Sequence, residues 1–112
     1  MPISKEGKEY TFNGKKLMLY PISVLAEKLS EALGDNRTTQ TIRKWEVNKV
    51  IPPAIFRAGQ KRLYTMEQIE TICKVAKECG IKQGYSLALT NFSVRVWEEM
   101  RLLNRKYLGK KE

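Results

Sequence analysis

The sequence contains no histidine. That removes the commonest general base, the commonest metal ligand and the basic half of every Ser-His or Cys-His nucleophile pair. The acids are scattered and no nucleophile has a base at readable spacing, so an enzyme is not expected. Cysteine is scarce: Cys73 and Cys79 are the only two. Six positions apart in an expected helix, they fall on different faces and can share neither a disulfide nor a metal without unwinding it. Cys73 neighbours Ile69, Ile72 and Ala76, so both thiols read as reduced core residues. No metal or cofactor is therefore expected. No apolar run approaches the length of a membrane span, and the N-terminus lacks the apolar core of a signal peptide, which points to the cytoplasm. Exposed aromatic pairs that could stack single-stranded bases are missing too, which argues against RNA.

What the chain has in excess is positive charge. Lys and Arg number 21 against 12 Asp and Glu, a formal net charge of +9 over 112 residues. A chain this long makes one small domain with a modest core, and its ordinary apolar share argues against disorder. The basic excess points to a polyanionic partner, nucleic acid first and an anionic membrane surface second, with plain solubility as the third explanation. It is also unevenly spread. Positions 37–62 carry seven cations and one acid, net +6, whereas positions 21–36 carry one cation and three acids, net −2.

Turn and helix signals divide the chain. Residues 1–8 read as a polar arm. Tyr10-Thr11-Phe12 and Leu17-Met18-Leu19-Tyr20 flank Asn13-Gly14, a dipeptide that tolerates the positive φ of a type I′ turn, so a β-hairpin is expected. Pro21 suits the first turn of a helix. Ile22, Leu25, Ala26, Leu29 and Leu33 form its apolar stripe opposite Glu27, Lys28 and Glu31, and Gly34 ends it. A turn at Asp35-Asn36-Arg37 leads to Thr38, a good cap for a second helix over about residues 39–47. Ile42 and Trp45 are three apart, share one face and bury together. Thr39, Gln40, Arg43 and Lys44 then face outward.

Pro52-Pro53 forces an extended path. Ile55-Phe56-Arg57 and Arg62-Leu63-Tyr64 make a tight basic hairpin around Ala58-Gly59-Gln60-Lys61. Thr65-Met66-Glu67-Gln68 is a capping box for a third helix that ends at Gly80, with Ile69, Ile72, Cys73, Ala76 and Cys79 as its stripe. Residues 81–92 read as a linker. From Ser93 to Leu108 a helical pattern returns, with Val94, Trp97, Met100, Leu103 and Tyr107 along one side of a rod roughly 24 Å long. That stripe either folds back on the same domain or pairs with a second copy. Residues 109–112 form a basic tail.

Taken in order, Ile22-Ser23-Val24-Leu25-Ala26, Trp45-Glu46, Pro52-Pro53, the basic turn from Arg57 to Arg62, Arg62-Leu63-Tyr64 and Thr65 resemble the winged helix-turn-helix of the MerR-like family of bacterial and phage DNA-binding proteins. The resemblance covers roughly residues 17–80. It implies a mainly α fold with a small antiparallel β-sheet, in which the strand before the first helix pairs with the wing. Residues 9–80 would form the DNA-binding domain, with 9–12 as an extra strand, followed by a C-terminal helix.

The partner so implied is double-stranded DNA, with the helix at 39–47 in the major groove and the wing at 55–64 on the backbone or minor groove. Arg suits guanine O6 and N7, and Gln suits adenine N6 and N7, so Thr39, Gln40, Arg43 and Lys44 form the base-reading set. An ordinary solvated helix face is the plain alternative for Arg43 and Lys44. Arg37, Lys49, Arg57, Lys61 and Arg62 form the phosphate set. About five such contacts would give log K against log salt a slope of roughly −4 to −5. Arg62 divides between a phosphate and a structural pairing with Glu46, the lone acid of the patch.

Many relatives dimerise through the C-terminal helix, which assigns Val94, Trp97, Met100, Leu103 and Tyr107 to a homodimer interface under the second reading of that stripe. The family's activators often carry an inducer-binding domain further on. This chain stops before one, so no small-molecule effector is expected. A phage- or plasmid-type transcriptional regulator, acting at the nucleoid in the bacterial cytoplasm, is the first functional reading. An architectural, excision, partition or packaging factor of the terminase small subunit type is the second. A protein–protein adaptor is the third.

Overall fold

The computed structural model describes residues 7–12, 14–81 and 91–108. Its elements run β1 (Lys8–Phe12), β2 (Lys15–Pro21), α1 (Ile22–Leu33), α2 (Thr39–Val47), β3 (Phe56–Ala58), β4 (Lys61–Thr65), α3 (Met66–Cys79) and α4 (Phe92–Leu108). This is the expected mainly α architecture, with a hairpin ahead of the helices and a helix after them. Residues 1–6 of the expected arm at 1–8, Asn13 of the expected hairpin turn, residues 82–90 of the expected linker and the tail at 109–112 lie outside the described residues, while Lys8, the last residue of that arm, opens β1.

Four strands make one antiparallel sheet in the order β1-β2-β4-β3. β1 and β2 form the expected hairpin, with Lys8 opposite Leu19 and Phe12 opposite Lys15. β2 then pairs with β4, Leu19 opposite Thr65 and Pro21 opposite Leu63, while β3 and β4 form the wing. Pro21 departs from its expected place inside the first helical turn. It is the last residue of β2 and the N-cap of α1, in extended geometry at φ −71 and ψ 165. Its pairing with Leu63 prolongs the strand by one residue.

Two cores hold these elements. Leu25 and Leu29 from α1, Ile42 from α2, and Ile69, Ile72 and Val75 from α3 are sealed from solvent in the larger one. Val75, absent from the expected stripe, takes a fully buried position, while Cys73 and Cys79 are free and only half-buried. Burial still pushes the Cys73 thiol up to about 11. Leu19, Phe56 and Leu63 form the smaller core on the sheet. There the Phe56 ring meets Phe12 edge-on at 4.8 Å and Tyr107 at 5.5 Å. Both halves of the Thr65–Gln68 capping box are present at the start of α3.

α4 packs on α3 of the same chain, and its inward face is rotated from the expected stripe. Phe92, Val96 and Met100 are buried and Leu103 and Tyr107 half-buried, whereas Val94 is 61% and Trp97 38% exposed. Phe92 sets this rotation: the helix starts one residue earlier than expected, and this ring packs 5.1 Å from Trp45. Of the five residues assigned to a homodimer interface, Met100 therefore lies inside its own chain's core, and Tyr107 is held by Thr65 and Glu67. No helix among the described residues is long and apolar enough to cross a membrane.

Candidate nucleic-acid interface

The second helix is oriented by two buried side chains. Thr38 caps it by accepting the Thr41 N–H at 3.3 Å. Ile42 is sealed and Trp45 nearly so, which leaves Gln40, Arg43 and Lys44 exposed and Thr39 half-exposed. At the other end the Lys49 N–H donates to the Glu46 carbonyl and the Val50 N–H to the Trp45 carbonyl. Those paired bonds are a Schellman closure, and Lys49 occupies its left-handed position at φ 60, where glycine is usual. α4 fastens this closure. The Trp97 indole N–H donates to the Lys49 carbonyl at 2.8 Å, and the Ser93 hydroxyl donates to the Val50 carbonyl at 2.9 Å.

Glu46 joins α2 to the wing. Its side chain is only 6% exposed. Oε2 accepts the Ala54 N–H at 2.7 Å, just past the two prolines, and lies 3.4 Å from the Arg57 guanidinium; Oε1 accepts the Arg62 Nε–H. Of the two roles open to Arg62, the structural pairing with Glu46 is made. Arg57 keeps 43% of its side chain in solvent while sharing the same carboxylate.

Arg37 does not join the other cations at a free surface. It is buried, and its guanidinium forks onto the Asp35 carboxylate at 2.7 and 3.1 Å. That hydrogen-bonded pairing holds the Asp35 carboxyl below its usual range. The Ser30 hydroxyl also binds both the Arg37 N–H and its carbonyl. An acid two residues upstream satisfies this arginine locally.

Of the remaining cations, Arg43, Lys61 and Arg62 converge. α2 and the wing border one cleft of about 620 Å³, lined by Thr39 and Arg43 on one side and Gln60, Lys61 and Arg62 on the other. No acid lines it. A shallower groove of about 240 Å³ runs along the outer side of α2 past Gln40, Arg43, Lys44 and Val47. Arg43 thus borders both. Lys49 is exposed beyond the far end of the helix. The first strand adds Lys8 and Tyr10 to the cleft, two residues that the sequence reading left out. Their place depends on sheet register, for which strand alternation alone gives no partner.

A family model described as MerR HTH family regulatory protein matches residues 20–88, from the end of β2 to beyond α3. The chain belongs to the MerR HTH family. This is a family of DNA-binding regulators, and its matched span holds α1, α2, the wing and α3. β1 and α4 lie outside that span. No curated protein and no solved structure matches this MerR HTH chain.

Proposed function

We propose that this MerR HTH protein is a sequence-specific regulator that lays α2 in the major groove of double-stranded DNA and its β3–β4 wing on the flanking backbone or minor groove. The observation that carries the reading is the meeting of Arg43 from α2 with Lys61 and Arg62 from the wing on one cleft, with no acid among its described lining residues. Gln40, Arg43 and Lys44 project from a helix whose other side is fixed by Ile42 and Trp45, so their direction is set before any partner arrives. Arg43 and Gln40 have the donor geometry for guanine and adenine edges. Lys61 and Lys49 suit phosphates, which fix register without reading sequence. Arg57 and Arg62, tied to Glu46, hold the wing at a constant angle to α2.

Selection of bound duplexes from a random-sequence library tests this reading. A preferred site should emerge, and Arg43→Ala should cost about 1–3 kcal/mol on it while relaxing the preference at one position. Equal weakening on the selected and a scrambled duplex would reduce Arg43 to a phosphate contact and overturn base reading by α2. Half-sites one helical turn apart would indicate two copies, with Val94 and Trp97, the two exposed members of the expected interface stripe, able to join them.

A further inference from the structure

We infer that the N-terminal hairpin is a third DNA-contacting element of this protein, with Lys8 binding a phosphate alongside α2 and the wing. The inference rests on the duplex-binding reading above and extends the same surface to a strand outside the family match, which begins at residue 20.

Register brings Lys8 there. It lies opposite Leu19, whereas Phe12 lies opposite Lys15, so Lys8 marks the end of β1 at which β2 runs on toward Pro21 and α1. Pro21 is in turn opposite Leu63, two residues after Lys61. Alternation places Lys8 on the same side of the strand as Tyr10 and Phe12. Those two pack against the small core of Leu19, Phe56 and Leu63, but Lys8, at the strand end, stays exposed. It therefore borders the same cleft as Arg43, Lys61 and the Glu46-paired Arg62, with no acid among the described lining residues. Glu9, the nearest acid in sequence, falls on the opposite side of the strand by the same alternation. No carboxylate pairs with the Lys8 ammonium among the described residues.

The bland role for a lysine on an edge strand is to block pairing with another sheet. Lys15 and Lys16 also stand exposed in this hairpin, but on β2 at its turn end, and neither lines the cleft. A lysine at the opposite end, on the cleft side, instead meets the strand of a duplex whose neighbouring segments lie over Arg43 and Lys61. Each phosphate neutralised by such a contact releases condensed counterions, so the contact is readable from salt dependence alone and needs no knowledge of the target sequence.

The test is fluorescence anisotropy of the full chain with a labelled mixed-sequence duplex across a salt series. Wild type is compared with Lys8→Gln, Lys61→Gln and Lys77→Gln, the last an exposed α3 lysine bordering a different groove, beside α1. All three remove one charge at an exposed position, and thermal melts confirm that they stay folded. Lys8→Gln should flatten log K against log salt by about 0.9, as Lys61→Gln does, while Lys77→Gln matches wild type. A wild-type slope in Lys8→Gln beside a flattened one in Lys61→Gln overturns the hairpin contact alone. Equal flattening by Lys77→Gln makes the effect one of bulk charge and also overturns it. Absence of salt-sensitive binding by wild type would overturn both this contact and the duplex-binding reading beneath it.

Discussion

Trp45 and Glu46 are neighbours with opposite duties. Trp45 turns the cationic side of α2 outward by burying itself beside Ile42 and Phe92. Trp45→Ala should cost about 3–5 kcal/mol in denaturant unfolding, as a large aromatic deletion in a packed core does. A loss below about 1 kcal/mol, the scale of exposed positions, would mean that the indole does not anchor the helix. Glu46 is the only acid among the cations of positions 37–62, and simple charge reasoning says that its removal should tighten DNA binding. Its geometry says the reverse. One carboxylate fixes the Ala54 N–H, Arg57 and Arg62, so losing its charge frees the wing from α2. Glu46→Gln should lower stability by about 1–3 kcal/mol and weaken duplex binding, although net charge rises by one. Tighter binding by this variant would show that Glu46 only offsets charge.

The element that sequence reasoning placed least well is α4. Its pattern offers two overlapping stripes, one through Val94 and Trp97 and one through Phe92 and Val96, which meet at Met100. Local spacing cannot choose between them, because the choice is made by Trp45, far off in sequence, on which Phe92 packs. By contrast the orientation of α2 was legible, since Ile42 and Trp45 are its only large apolar pair three apart. The wing and the start of α3 were legible as well, from Gly59 and the Thr65 capping box. At its far end α4 is clasped to α3. The Tyr107 hydroxyl donates to Glu67 at 2.7 Å and lies 2.8 Å from the Thr65 hydroxyl, while the Gln68 amide donates to Asn104 at 2.8 Å.

This clasp makes the fold alkali-sensitive. Burial, then the neighbouring Glu67, raises the Tyr107 phenol to about 12, and burial does the same for Tyr64. With an unfolded value of about 10, the native state holds these protons more tightly, so their stabilisation is complete below about pH 10 and is lost as pH rises toward 12. Tyr107→Phe should lower stability by about 1–2 kcal/mol at neutral pH. It should also show a shallower decline between pH 10 and 12, with Tyr64 sustaining the remainder. Unfolding curves at several pH values check this, and parallel declines in the two proteins would contradict it.

For the whole molecule, the uneven charge of the sequence becomes a directional surface. The net negative stretch at 21–36 forms α1 and its following turn, whereas the cations of 39–62 gather around α2 and the wing. Arg37 escapes that pattern because Asp35 lies within reach, and Lys8 joins it because the sheet register carries it across; neither could be read from the linear charge count. The most direct test is a backbone amide NMR titration of the labelled protein with its selected duplex. The largest shift changes should map to α2, the wing and the Lys8 end of β1, with α3 and the outer side of α4 little affected. Changes confined to α3 and α4, with the amides of 39–47 and 57–62 unmoved, would contradict it.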